Sequence, residues 1–131
     1  MQRVDHTRKD PQCAPMIIFI QRLKLRILWS WQGWSAAWRE EYSLRSWVWS
    51  YLISVLLAFW LPLSVAERAL LLALGLLVIA AELFNTAIER TVDRISKEMH
   101  PLSGAAKDAA SAAVAVTAIA AGLAWVVILI G

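Results

Sequence analysis

Ala69-Leu-Leu-Leu-Ala-Leu-Gly-Leu-Leu-Val-Ile-Ala-Ala-Glu82-Leu-Phe-Asn85-Thr-Ala-Ile-Glu89-Arg-Thr-Val-Asp93 decides how this chain folds. The apolar run stops at a carboxylate, yet Leu83, Phe84, Ala87, Ile88, Val92 and Ile95 continue an apolar side at helical spacing. One long helix over about 66–96 accounts for both halves. Its first half suits hydrocarbon, and its last turns carry charge into the interface. Glu82, Asn85, Glu89 and Asp93 stand at i, i+3, i+7 and i+11, so they share one helix face. A carboxylate inside a membrane helix costs about 2.5–3.5 kcal/mol or more, so it usually faces protein or water and marks function. A polar clamp between helices is the plainer role for Glu82, and a solvated helix end the plainer role for Asp93 and Arg94. Depth in the apolar run favours a functional role for Glu82.

Outward from that helix, Ser46 to Ala66 carries no charge and is long enough to cross a bilayer. Pro62 should end that helix near Trp60–Leu61. Ser64 suits an N-cap, with Glu67 in the turn that follows. On the other side, His100-Pro-Leu-Ser-Gly104 breaks the pattern, and Ser103 can cap the next helix. Ala109 to Gly131 is again uncharged. Its many alanines allow close helix approach in lipid, so this helix is expected at the centre of the packing. Upstream, Ile20, Leu23, Ile27, Trp31, Trp34 and Trp38 recur every three or four residues, with Arg22, Arg26, Gln32 and Arg39 mostly between them. That is an amphipathic helix, and Trp29, Trp31, Trp34 and Trp38 suit the headgroup level. An interfacial anchor is its simpler role, and a lid touching headgroups near a site is the sharper one. The expected architecture is an all-α integral membrane protein: a surface helix over about 17–40 and three transmembrane helices over about 44–61, 66–96 and 104–130. Residues 16–131 form the membrane domain, after a polar tail over 1–15 expected to be disordered.

Composition agrees. Of 131 residues, 60% are hydrophobic and 18% charged, too apolar a balance for a soluble domain of this size. A single cysteine, Cys13 in the polar tail, excludes a disulfide scaffold. The net charge is +3, and its placement matters more than its size. Arg22, Lys24, Arg26, Arg39 and Arg45 precede the first span, and Arg94, Lys97 and Lys107 lie between the second and third. Arg68 alone lies between the first and second. By the positive-inside rule, the N-terminus and the 94–107 loop are cytoplasmic. The basic residues flank the membrane and form no dense patch, which disfavours nucleic acid as a partner.

Glu40 and Glu41 lie just before the first span, at the cytoplasmic level of Glu89, Asp93, Lys107 and Asp108. Lys107 could form a plain ion pair or neutralise a phosphate. Carboxylates without cysteine or paired histidine suit Mg²⁺ rather than Zn²⁺, and Mg²⁺ typically uses one or two carboxylates plus substrate phosphates. No Gly-rich phosphate loop, dinucleotide fingerprint or nucleophile elbow is present. His6 and His100 are isolated, which disfavours a histidine-based triad, and His100 is a weak candidate for a phosphate contact. Paired Glu-x-x-His motifs, which a di-iron bundle needs, are missing too.

In Glu82-Leu-Phe-Asn-Thr-Ala-Ile-Glu-Arg-Thr-Val-Asp-Arg-Ile95, in His100-Pro-Leu-Ser-Gly-Ala-Ala-Lys-Asp-Ala-Ala-Ser-Ala-Ala-Val114 and in Ala36-Ala37-Trp38-x-x-Glu41, the sequence resembles the small prokaryotic diacylglycerol kinase family. The resemblance covers roughly residues 22–131. It implies a homotrimer in the bacterial inner membrane, with active sites between subunits at the cytoplasmic interface. It implies transfer of a phosphoryl group from MgATP to a lipid alcohol, diacylglycerol giving phosphatidate. Glu82 would be the general base, and Glu41 and Glu89 would hold Mg²⁺. Asn85, Glu98, His100, Lys107 and Asp108 would contact ATP or order its site, with Arg22 and Trp29 reaching it from the surface helix. Arg22, Ser30 and Ser111 would lie near the lipid. Trp47 stands where the family often has an acidic residue, and Trp29 and Gln32 stand for residues that are commonly tyrosine and basic. An undecaprenol kinase would share the same core motif. A non-enzymatic membrane scaffold or transporter subunit, with purely structural carboxylates, is the expectation from another class.

Overall fold

The computed structural model describes residues 13–131, with side chains from Met16 onward. The expected tail of 1–15, with His6, lies outside the described residues as far as residue 12. Four helices make up the rest: α1 (Cys13–Glu40), α2 (Tyr42–Trp60), α3 (Val65–Ile95) and α4 (Pro101–Ile130). No strand occurs among the described residues. The chain divides into two compact units, Met1–Ala36 and Ala37–Gly131.

In the first unit, α1 begins at Cys13 rather than near residue 17, so 13–15 are helical and not tail. Pro15 is tolerated because the first helical turn has no use for its missing N–H. From Met16 to Trp31 every side chain is exposed, including Met16, Phe19, Trp29 and Trp31 among the large apolar ones.

In the second unit the helix ends follow local chemistry. Leu61 is extended ahead of Pro62, as the residue before a proline prefers. Ser64 Oγ accepts from Glu67 N at 3.3 Å, while Glu67 Oε2 accepts from Ser64 N at 2.7 Å. This reciprocal capping box starts α3. Arg68 closes the turn: its Nε donates to Ala58 O at 2.8 Å, its Nη2 to Leu63 O at 3.3 Å, and its guanidinium lies 5.0 Å from the Phe59 ring centre. It thereby satisfies one carbonyl at the end of α2 and one in the loop that follows. At the next break, α4 starts at Pro101, ahead of the expected 104. His100, not Ser103, is its cap, with Nδ1 accepting from Leu102 N at 3.2 Å. Proline's fixed φ suits the first helical position.

α3 packs against both α2 and α4 and is the central helix of the second unit. This corrects the expectation that the alanine-rich α4 would be central. α3 supplies Leu71, Val78 and Ile79 to the core, whereas α4 supplies Ala110 and Val114. Alanines offer little side-chain area to bury. Close approach of α2 and α3 occurs at Gly75, where an added Cβ would run into the Tyr51 ring, 2.8 Å from Cε2. Trp125 Nε1 donates to Ser54 Oγ at 3.0 Å and ties α4 to α2. α3 and α4 are each long and apolar enough to cross a membrane. Little of α4 is buried in the chain, and Ile119, Leu123, Val127 and Ile130 are exposed. A soluble protein's core helix would not look like this. α2 is more mixed, with Ser46, Ser50, Ser54 and Tyr51 among its apolar residues. The hydroxyls of Ser46 and Ser50 bond back to carbonyls four residues earlier, which satisfies them within the helix.

Candidate functional site

α3 carries the polar stripe out of the apolar core. Along it, burial falls stepwise: Glu82 is 4% exposed, Asn85 and Glu89 are half-buried, and Asp93 is exposed. Thr86, beside the stripe, is also 4% exposed. Glu82 Oε1 accepts a hydrogen bond from Ser43 Oγ at the start of α2. Asn85 Nδ2 donates to Glu89 Oε1 at 3.1 Å, and its own Oδ1 is buried without a hydrogen-bond partner. Arg90 Nη2 bridges Glu40 at 2.8 Å and Glu41 at 3.2 Å, which brings the end of α1 and the start of α2 to the C-terminal half of α3.

The second part of the site lies where α3 gives way to α4. A cavity of about 460 Å³ is lined by Asp93, Lys97, Glu98, His100, Ser103 and Lys107, among others. Lys107 Nζ donates to Asp93 Oδ1 at 2.5 Å. Glu98 N donates to Ser96 Oγ at 3.0 Å, which shapes the loop. Glu98, His100 and Lys107 therefore share one cavity, together with the end of the α3 stripe. Asp108 and Ser111 are exposed on α4 and are not part of its lining. Arg22, Trp29 and Ser30 belong to the first unit, where Ser30 lines a shallow groove with Arg26, Trp31 and Trp34.

The arrangement joins a buried carboxylate to a wider, charged, water-accessible cavity through a short ladder of half-buried oxygen ligands. At one end a carboxylate sits among apolar residues, and at the other Lys97, His100 and Lys107 line the cavity. Sequence reasoning missed Ser43 and Arg90. Both act across helix pairs, over 39 and about 50 residues of separation, where no local spacing signals them.

Residues 28–129 match the sequence profile of a family described as prokaryotic diacylglycerol kinase. The diacylglycerol kinase of Escherichia coli strain K12 is 43% identical over 101 residues, covering 77% of this chain and 83% of that one. That of Pseudomonas aeruginosa PAO1 is 46% identical over 99 residues, covering 76% and 80%. That of Helicobacter pylori 26695 is 36% identical over 104 residues, covering 79% and 81%. With the buried carboxylate, the graded stripe and the charged cavity all inside the matched stretch, this chain belongs to the prokaryotic diacylglycerol kinase family.

Proposed function

We propose that this chain is a diacylglycerol kinase, transferring the terminal phosphoryl group of ATP to the hydroxyl of diacylglycerol to give phosphatidate and ADP. The observation that carries the reading is the burial of Glu82 at the apolar end of a stripe that opens onto the Lys107 cavity. Glu82 takes the proton from the lipid hydroxyl as its oxygen bonds to the γ-phosphorus. The bond from that phosphorus to the bridging oxygen breaks, and ADP leaves. No covalent enzyme intermediate is needed, because positioning and charge neutralisation supply the catalysis. Lys107 from the first turns of α4 and His100 from its cap face the phosphates, with Glu98 and Asp108 ordering the nucleotide.

The donor set fits a hard divalent cation. Glu41 and Glu89 are carboxylates, and the amide oxygen of Asn85 next along the stripe is buried and unpartnered. Glu41 and Glu89 would hold Mg²⁺, exchanging the present contacts to Arg90 and Asn85. When bound, it would offset charge on the phosphates. In the cell the chain is a multi-pass inner-membrane protein with a cytoplasmic N-terminus. α2, α3 and α4 span the bilayer in the domain of residues 16–131, and α1 lies on its surface, with Arg22, Trp29 and Ser30 toward nucleotide and lipid. It assembles as a homotrimer, with Ser111 near the lipid.

The test is phosphorylation with labelled ATP, offering diacylglycerol and undecaprenol in parallel vesicles. Labelled phosphatidate is the expected product, and transfer to undecaprenol alone would reassign the acceptor. Glu82→Gln should abolish turnover and leave the assembled mass in detergent unchanged. A folded protein that labels neither lipid would overturn the enzyme reading.

A further inference from the structure

We infer that Ser43 is a positioning residue for the proton-accepting carboxylate: its hydroxyl holds Oε1 of Glu82 and leaves Oε2 to take the lipid's proton. The inference rests on the reading of Glu82 as base given above.

Four observations carry it. Ser43 is the second residue of α2 and its hydroxyl donates to Glu82 Oε1 on α3, so the contact crosses between two helices. Its neighbour Leu44 is fully buried and pins the first turn of α2 in the core, so Ser43 is displayed from a fixed element. Three other hydroxyls on α2 and α3 behave differently: Ser46, Ser50 and Thr91 each bond back to the carbonyl four residues earlier. The carbonyl four residues before Ser43 is that of Arg39, and it accepts from Arg45 Nη1 at 3.1 Å. The Ser43 hydroxyl is turned instead toward the carboxylate.

The cations of these elements are engaged elsewhere, Arg90 with Glu40 and Glu41, Lys107 with Asp93, and Arg45 with the carbonyls of Trp38 and Arg39. A neutral hydroxyl therefore orients Glu82 without a full positive charge beside it. That suits a group that must accept a proton, since a strongly stabilised anion is a poor base. Fixing one oxygen also removes the rotation that would otherwise carry the second oxygen away from the substrate.

The test uses the full chain in phospholipid vesicles with diacylglycerol and MgATP. Ser43→Ala should lower kcat about 10- to 100-fold, the scale of a misplaced reacting group. KM for both substrates should stay close to the parent value, because ground-state binding is untouched. Ser43→Thr keeps the hydroxyl and should restore most of the rate. In the resting protein without nucleotide, the infrared band assigned to Glu82 by its loss in Glu82→Gln should move in Ser43→Ala and return in Ser43→Thr. Should Ser43→Ala fail to fold, Ser43→Cys carries the same readouts, because a thiol is a weak donor of similar size. Parent kcat and an unmoved band in a folded Ser43→Ala, with Glu82→Gln inactive, would overturn the positioning role alone. Full turnover by Glu82→Gln would overturn the base itself.

Discussion

Lys107 shows how one residue can be weighed by magnitude. Its ion pair with Asp93 is 2.5 Å long, but the two side chains are 36% and 57% exposed. Exposed pairs contribute about 0–1 kcal/mol, so stability does not explain a lysine at this point. A contact from lysine to phosphate is charge-assisted and contributes about 1.5–3 kcal/mol, or roughly 10- to 100-fold in affinity. Lys107→Ala should therefore leave thermal unfolding in detergent nearly unchanged and raise the Kd for ATP by that factor, measured by calorimetric titration. A large loss of stability with unchanged nucleotide binding would make the lysine structural. The acidic stripe is legible in the amino-acid order, because spacing alone puts Glu82, Asn85, Glu89 and Asp93 on one face. Its partners are not. Which side chain of α2 meets Glu82, and which acids share Arg90, depends on how two helices are set against each other.

At the scale of elements, Gly75 marks a close approach of α2 and α3. A Cβ there would meet the Tyr51 ring that packs from α2, standing 2.8 Å from Cε2. Gly75→Val forces the two helices apart or turns the ring, at a cost of about 1–3 kcal/mol by analogy with overpacked cores. Unfolding of the variant in detergent should show that loss. Tyr51→Ala in the same chain should recover part of it, as residues in contact couple. Equal losses in the single and double variants would place the strain elsewhere. Ser64→Ala should cost about 1 kcal/mol at the start of α3, the scale of a lost N-cap. That cap is legible, since Ser64 precedes Glu67 by three residues after a proline. The start of α4 is legible only as a break. His100-Pro101 contains both the cap and the first helical residue, but histidine is a rare cap, and Ser103 is the residue that propensity favours. The expectation of a central α4 fails for a related reason: small residues show that a face permits close packing, not that a partner in the same chain uses it.

The whole molecule is organised by two asymmetries, apolar surface and charge. α3 and α4 are long enough to span, and the exposed side chains of α4 are overwhelmingly apolar, so lipid or another protomer must cover them. Between the apolar runs of α2 and α3 the sole cation is Arg68, and its guanidinium is already occupied by Ala58 O, Leu63 O and the Phe59 ring. It is a local fastener and adds little to that loop's pull toward the cytoplasm. Arg94, Lys97 and Lys107 gather at the opposite end of α3. By the charge rule the α3–α4 loop is expected on the inner side, where ATP is found. Single cysteines placed by Met99→Cys and by Val65→Cys, each with Cys13→Ser, test this directly. Both positions are highly exposed, at 102% and 80%. A membrane-impermeant maleimide should label the position-99 variant only in inverted vesicles and the position-65 variant only in intact spheroplasts. The opposite pattern would put the Lys107 cavity on the side without nucleotide, and a kinase reading of this site could not survive it.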